Sequence, residues 1–482
     1  MSRRRRIVGV AAAAVLAAPV PAVTARAAEN CELQAAAGDP AAAVDGQARA
    51  GAVQVRCGDR WLTVRQGAGG LGERPEAGDR FGASVAVADI DRDGAADLVV
   101  GAPGENDGAG AVHVVFGPGR DGQPAPITLR QGGGGVPDRS EAGDGYGSAV
   151  AAMGGTVLVG APGEDLGDNE AKADAGSVHV VSISDGRVGG VTVLDQDRQD
   201  FDGTVEAGDR FGASLAAGSF DKPTAVIGVP GEDVSDKKDA GMIHIVEDPV
   251  VAIEETGIGQ DSAGVSGASE PGDRFGASVA AAWDPSLPVR VVAGAPGEDL
   301  GDAADAGMVT VFGYDGRQAT EVLAVHQGTA GVPGASEDGD GFGASVAAGV
   351  IESASLPGPE VSVAIGAPGE DVGDLADAGR VHGVQVGAFP RVDGAITQDT
   401  DGLGEDPRAG ARFGAALAFG PGAARVVAGA PGHAGKGAAH AIPWRALFGT
   451  TVVADNWFAG RDGVPDVGSA FGSSVASDPA AG

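Results

Sequence analysis

The sequence contains few aromatic residues, and no familiar catalytic signature stands out in it. Aromatic side chains make up 4% of the 482 residues, with four tryptophans and two tyrosines. Sugar sites usually offer aromatic platforms, so this scarcity disfavours a glycosidase, although carboxylates are numerous enough to supply an acid pair. No Ser-His-Asp order, Cys-x-x-Cys pair or glycine-rich phosphate loop stands out. We therefore expect a protein that is not an enzyme.

Positive charge is also scarce. The chain carries 33 Lys and Arg residues against 67 Asp and Glu residues, a formal net charge of −34. Such a surface repels nucleic acid and anionic lipid, so we expect no nucleic-acid partner. Beyond the N-terminus no apolar run is long enough to span a bilayer, so we expect no membrane insertion. We interpret the acidity mainly as the charge that keeps an exported protein soluble.

The N-terminus has the pattern of an export signal. Arg3 to Arg6 form a basic segment, Ile7 to Val20 form a short apolar segment, and Ala25 to Ala27 offer a small-x-small cleavage site. We predict that residues 1–27 are a signal peptide, cleaved near Ala27 after export by the Sec or the twin-arginine route. The sequence therefore predicts a secreted protein.

One stretch, Gly78 to Gly117, sets the plan of the chain. It holds three short apolar runs bounded by Gly, Pro or Asp, which is typical of strands joined by tight turns. An aromatic-Gly pair opens this unit and recurs at intervals of 58 to 71 residues. We expect each aromatic ring to pack against the neighbouring unit and each glycine to allow close backbone approach. The pairs begin at Phe81, Tyr146, Phe211, Phe275, Phe342, Phe413 and Phe471.

The two ends of the chain look like complementary halves of one unit. Residues 31–66 resemble the second half of a repeat, whereas Phe471 to Ala476 match a first strand. Closing a ring in this way removes exposed sheet edges. We predict an all-β fold in which residues 28–482 form one seven-bladed β-propeller with about four strands in each blade. The repeat register also places Cys31 and Cys57 nearly opposite each other, which predicts a disulfide in an exported protein.

The loop that follows the first strand carries aspartates at cation-ligand spacing. Asp89, Asp91, Asp93 and Asp97 occupy positions one, three, five and nine, Gly94 allows a sharp bend, and the Ala95 carbonyl supplies another oxygen. An all-oxygen set suits Ca²⁺ better than zinc or copper. The alternative is a merely polar turn. The loop is not an EF-hand, because the glutamate at position twelve is absent.

Two further acidic sets and a set of histidines recur with the repeat. One acidic set follows the Gly-Ala-Pro segment and the other precedes the aromatic residue, and both are either cation sites or solvated, capped turns. Five histidines share one strand position, and because equivalent positions lie on different blades we do not expect them to bind a metal together. The histidines are His113, His179, His244, His382 and His440.

The aromatic-Gly and Gly-Ala-Pro segments, with the Asp-x-Asp-x-Asp-Gly-x-x-Asp loop between them, resemble the FG-GAP repeat. That repeat builds the seven-bladed propeller at the head of integrin α-chains and occurs in secreted bacterial proteins. The resemblance implies that Asp89, Asp91, Asp93, Ala95 and Asp97 are calcium-binding positions. Only one such loop is intact here, and no stalk or membrane helix follows, so the resemblance implies the fold and calcium binding and not receptor signalling.

Three functions remain open from the sequence. The leading hypothesis is a secreted, calcium-binding, non-enzymatic adhesion module that is monomeric and binds an extracellular protein or glycan. A second is an enzyme that acts on extracellular polysaccharide through carboxylates of the rim or the channel. A third is a structural matrix protein.

Overall fold

The computed structural model describes residues 31–167, 171–219, 222–251, 253–284, 286–351, 359–387, 390–403, 406–420, 424–449, 452–461, 463–466 and 468–477. The predicted signal peptide, residues 1–27, lies outside the described residues, so its prediction is not tested. Within the described parts of the chain, no helix is long and apolar enough to cross a membrane.

The described residues form an all-β fold with short helical turns at Glu105–Gly108, His433–Gly435 and Trp444–Phe448. In chain order the strands are β1 Leu33–Asp39, β2 Ala52–Cys57, β3 Arg60–Val64, β4 Ser84–Ala88, β5 Asp97–Ala102, β6 Ala111–Val115, β7 Ile127–Leu129, β8 Ala149–Met153, β9 Thr156–Ala161, β10 Ser177–Ser184, β11 Arg187–Leu194, β12 Ser214–Ser219, β13 Pro223–Val229, β14 Met242–Glu247, β15 Glu254–Ile258, β16 Ser278–Ala282, β17 Val289–Ala295, β18 Met308–Tyr314, β19 Ala319–Val325, β20 Ser345–Ile351, β21 Glu360–Ala367, β22 Arg380–Val386, β23 Arg391–Ile396, β24 Ala416–Phe419, β25 Arg425–Ala430, β26 Ala438–Pro443, β27 Asp455–Phe458 and β28 Ser474–Ser477.

These strands form seven four-stranded antiparallel sheets, which are the blades of a propeller. Blades 1 to 6 are consecutive groups of four strands that start at β4, β8, β12, β16, β20 and β24. Blade 7 combines β28 with β1, β2 and β3, and Ala36 pairs with Ala476 across the closure. The predicted seven blades and the predicted ring closure are both confirmed.

The second and third strands of each blade are largely buried on both faces because a neighbouring blade covers each face. All six residues of β5 are buried, although the segment includes Asp97. The first strands contact one another around the ring, so they surround the central channel. The apolar core is therefore a series of layers between blades, such as the cluster that joins Val99 and Val112 of blade 1 to Val157 and Val181 of blade 2.

The aromatic-Gly pair forms the joint between neighbouring blades. Phe81 is fully buried, and it forms a parallel bridge with Gly51 of blade 7 before the chain enters blade 1. Gly82 has a φ of +87°, and a Cβ atom there would lie 2.9 Å from the carbonyl oxygen of Ala52. The pair thus packs one blade against the next, as the sequence predicted, and each first strand starts three residues after its aromatic residue.

The predicted disulfide between Cys31 and Cys57 is confirmed, with a Cα–Cα distance of 5.1 Å. Cys57 ends β2, and its register partner on β1 is Leu33, two residues after Cys31. The disulfide therefore fixes the start of the described chain to the blade that closes the ring.

Replacing Gly147 by alanine tests the joint between blades 1 and 2. Gly147 has a φ of +89°, and a Cβ atom would lie 2.7 Å from Val112 Cγ2 and 2.8 Å from the Ala111 carbonyl oxygen. We expect Gly147→Ala to lower the free energy of unfolding by roughly 2–3 kcal/mol, measured by denaturant unfolding, because strain and overlap add. Gly143→Ala is the control, since φ there is +105° but nothing lies within 4 Å. Equal losses in the two variants would contradict the role of the joint.

Candidate cation site and the polar contacts between blades

The loop 89–97 joins β4 to β5 and brings three of its four aspartates together. One carboxylate oxygen from each of Asp89, Asp91 and Asp97 lies within 4.8 Å of the other two. Arg92 and Gly94 have φ angles of +63° and +84°, which turn the backbone back toward β5. Ile90, between two of these aspartates, is fully buried in the core between blades 1 and 2. The loop is therefore anchored by apolar packing while its aspartates converge.

Asp97 is the structural centre of this loop. Its Oδ2 accepts hydrogen bonds from the backbone N–H groups of Ile90 at 2.8 Å and Asp91 at 3.3 Å. Its Oδ1 accepts one from the N–H of Gly117 at 2.8 Å, which ties the loop to the turn after β6. Burial raises the pKa of Asp97 to about 6, against the effect of these hydrogen bonds.

Asp89 and Asp91 each place a carboxylate oxygen close to one of Asp97. Asp89 Oδ2 accepts the N–H of Gly94 at 3.0 Å, whereas Asp89 Oδ1 is buried and has no hydrogen-bond partner. Asp91 Oδ1 accepts the N–H of Asp93 at 3.1 Å. A buried, unpaired carboxylate oxygen is costly, and a hard cation bound by oxygen ligands satisfies it. The residues present therefore fit a Ca²⁺ ion.

The fourth predicted aspartate, Asp93, makes other contacts. Asp93 is outside the group of three, because its Oδ1 accepts the N–H of Ala95 at 2.7 Å and its Oδ2 accepts Gln123 Nε2 at 3.1 Å. Arg120 Nη1 lies 3.8 Å from the same carboxylate. The structure therefore brings together three of the four predicted aspartates.

Comparison with known proteins places this loop in a described repeat. Residues 81–115 match the sequence profile of the FG-GAP repeat. The match runs from the joint residue Phe81 through the loop 89–97 to the end of β6, and the other blades show the same strand order.

Two solved structures of similar fold are a lectin and a viral protein. The fungal lectin of Aleuria aurantia, described as a six-bladed β-propeller with a novel mode of fucose recognition, aligns with a TM-score of 0.38 at 13% identity, over 80% of this chain and 96% of the lectin. A subtype N11 neuraminidase-like protein of A/flat-faced bat/Peru/033/2010 aligns with a TM-score of 0.36 at 11% identity, over 80% and 88% of the two chains. A search of curated protein sequences found no match.

The other acidic residues that recur with the repeat hold loop backbone. After the Gly-Ala-Pro segments, Asp233 Oδ1 accepts the N–H of Asp239 at 2.8 Å, and Asp299 Oδ1 accepts that of Asp305 at 2.9 Å. Asp371 Oδ1 accepts the N–H of Asp377 at 3.0 Å. Each aspartate before an aromatic residue accepts a hydrogen bond from the backbone N–H three residues upstream. These aspartates are Asp79, Asp144, Asp209, Asp273 and Asp340. These contacts are those of capped turns.

The five recurrent histidines are buried beside the aromatic joints and do not converge. His113 lies 5.3 Å from Phe81 between ring centroids, and His179 lies 5.2 Å from Tyr146. Burial lowers the pKa of each of these two histidines to about 4. In these two blades the shared strand position is therefore a buried packing position beside the aromatic joint.

Sequence reasoning missed a glutamine that links neighbouring blades. It follows the fourth strand of one blade, and its Nε2 donates to a buried glutamate after the second strand of the next blade. Gln196 donates to Glu232 at 2.6 Å, and the sixth junction replaces the glutamate by His433, 3.2 Å from Gln398. The signal was available, because each glutamine lies fifteen residues before its aromatic residue. The glutamines are Gln66, Gln131, Gln196, Gln260, Gln327 and Gln398.

These junctions bury carboxylates among other carboxylates. Glu164 accepts a hydrogen bond from Gln131, and its pKa is raised to about 8, chiefly by burial and also by the charges of Asp138, Asp144 and Glu141. Burial also raises the pKa of Glu105 to about 7. Because the folded pKa is raised, the folded state binds more protons than the unfolded chain, so this contribution to stability rises as pH falls from about 8 to about 4.5.

Replacing Glu164 by glutamine tests the direction of this pH dependence of stability. We expect Glu164→Gln to stabilise the protein at pH 8 by on the order of 1 kcal/mol, because one unit of pKa shift corresponds to about 1.4 kcal/mol. The gain should disappear at pH 5, where Glu164 is protonated in the folded state. The melting temperature at both pH values measures the effect, with Glu32→Gln at an exposed position as the control. A pH-independent effect of Glu164→Gln would contradict the account.

Proposed function

We propose that the chain is an exported propeller that binds Ca²⁺ in the loop 89–97 and acts as a binding or adhesion module, not as an enzyme. The observation that carries the calcium proposal is the group formed by Asp89, Asp91 and Asp97, within which Asp89 Oδ1 is buried without a partner. Within the described residues, this is the one group of three or more potential ligands close enough to hold a metal ion. Its donors are all carboxylate oxygens, which favours Ca²⁺ over softer metals.

Calcium would act locally on the end of blade 1. It would neutralise carboxylates that repel one another, and through Asp97 it would hold both the loop 89–97 and the turn at Gly117. The ion would therefore stabilise the folded state without contributing to any chemical step. The disulfide between Cys31 and Cys57 agrees with an exported protein.

Within the described residues, the first strands that surround the central channel supply no pair of carboxylates. The first strands that surround it carry Ser, Ala, Val, Gly, Leu, Ile, Met and Phe, with no Asp, Glu, Arg or Tyr. These strands are β4, β8, β12, β16, β20, β24 and β28. These strands therefore give more support to a binding function than to an enzyme that acts on polysaccharide.

The acidic rim is the surface that we propose for a partner. We define it as the loops between the second and third strands of the blades. By strand direction these loops lie at the end of the propeller opposite the cation loop. Asp236, Asp302 and Asp374 are exposed at equivalent positions of the rim on three successive blades. A regular array of carboxylates favours an extracellular partner that presents positive charge.

The calcium proposal predicts a thermal shift that depends on Asp89. In Ca²⁺ at about 100 times the Kd, the free energy of unfolding should rise by about 2.7 kcal/mol relative to chelator, because the ion binds only the folded state. Asp89→Asn should remove most of this shift, as measured by differential scanning calorimetry. Asp121→Asn, at an exposed aspartate on the neighbouring turn, should keep it. A melting temperature that Ca²⁺ leaves unchanged would refute the site.

The binding proposal predicts a salt-sensitive partner that recognises the rim. Mature protein should capture basic extracellular proteins from an array of matrix proteins and glycans at low ionic strength. The triple variant Asp236→Asn, Asp302→Asn, Asp374→Asn should lose this capture. The control changes three exposed aspartates on loops between third and fourth strands, at the opposite end, to asparagine; they are Asp121, Asp185 and Asp315. Equal binding by both triple variants would contradict the choice of the rim.

A further inference from the structure

The turn after β6 is held against the cation loop by backbone contacts. The N–H of Gly117 donates to Asp97 Oδ1 at 2.8 Å, and the N–H of Arg120 donates to the Gly117 carbonyl at 2.9 Å. On its other side, the turn lies against blade 7, the seam blade that closes the ring, because a Cβ atom on Gly119 would lie 2.4 Å from Leu62 Cδ1. The position of Arg120 beside the loop is therefore set by the fold and does not depend on its side chain.

From this position the Arg120 side chain reaches the aspartate that is missing from the group of three. Arg120 Nη1 lies 3.8 Å from Asp93 Oδ1, and Gln123 Nε2 donates to Asp93 Oδ2 at 3.1 Å. The contacts of Arg120 and Gln123 therefore hold a predicted fourth ligand outside the group of three.

We propose that Arg120 sets the affinity of the site for Ca²⁺ by competing with the ion for Asp93. The proposal rests on calcium binding in the loop 89–97, as proposed above. An ion that recruits Asp93 has to displace the contacts of Arg120 and Gln123, so Arg120 weakens binding. The site would then respond to the high Ca²⁺ concentrations found outside cells.

Calorimetric titration of the mature protein with CaCl₂ tests this competition. Arg120→Gln should bind Ca²⁺ roughly three to five times more tightly than the wild type, because partly exposed ion pairs of this kind contribute up to about 1 kcal/mol. Arg120→Lys, which keeps the charge, should stay within about twofold of the wild type. Arg65→Gln is the control, because it removes one positive charge from an ion pair with Asp45 in the seam blade.

A double-mutant cycle separates competition for Asp93 from a general charge effect. In the Asp93→Asn background, Arg120→Gln should change the Kd by less than about twofold. A full gain in that background, or an Arg120→Gln Kd equal to or weaker than the wild type, would overturn the proposal for Arg120. Absence of binding heat in the wild type and in every variant would instead overturn the calcium proposal itself. Melting temperatures in chelator check that the variants are folded.

Discussion

The structure depends on the close contact that each aromatic-Gly pair makes between two blades. The ring of Phe81 is buried between β2 of blade 7 and β5 of blade 1, and Gly82 brings the backbones nearer than a side chain would permit. Ser84 Oγ then donates to the carbonyl oxygen of Gly147 in the next joint at 2.7 Å. The joints are therefore linked to one another, and the angle between blades is set by backbone contacts as well as by apolar packing. That angle fixes where every loop of the propeller lies.

The cation loop shows how this frame determines a site. Ile90 is buried in the layer between blades 1 and 2, which is the layer that the joint at Tyr146 closes. Its two neighbours in the sequence, Asp89 and Asp91, lie on either side of this anchor and converge with Asp97 at the start of β5. The backbone turns back toward β5 at Arg92 and Gly94, whose φ angles are positive, and this turn lets the carboxylates meet. The site is a consequence of blade packing, and its ligands come from one loop.

The sequence predicted the features that repeat and the ones that depend on local spacing. The seven aromatic-Gly pairs predicted the blades, and the register of residues 31–66 predicted both the closure and the disulfide. Polar side-chain contacts between loops and between blades were not predicted. The contact of Asp93 with Arg120 joins two loops of one blade, and no pattern within the loop 89–97 predicts it. The Gln196–Glu232 contact joins two blades, and its fixed spacing has meaning only once the blades are adjacent.

The loops at both ends of the propeller carry many carboxylates. Many of these carboxylates accept backbone hydrogen bonds, so they stabilise turns despite the net charge of −34. The buried glutamates between blades do the opposite, because their raised pKa values mean that ionisation opposes folding. Among the described residues, the loop 89–97 differs from both groups, because Asp89, Asp91 and Asp97 each bring a carboxylate oxygen within 4.8 Å of the other two. This difference separates a candidate cation site from the rest of the acidic surface.

The most direct test of the account is a crystal structure of the mature protein grown with Ca²⁺, with anomalous differences measured at a long wavelength. The account predicts a seven-bladed ring with an anomalous peak between Asp89, Asp91 and Asp97, bound by oxygen atoms at about 2.3–2.6 Å. Peaks confined to the acidic rim, with none in the loop 89–97, would contradict it.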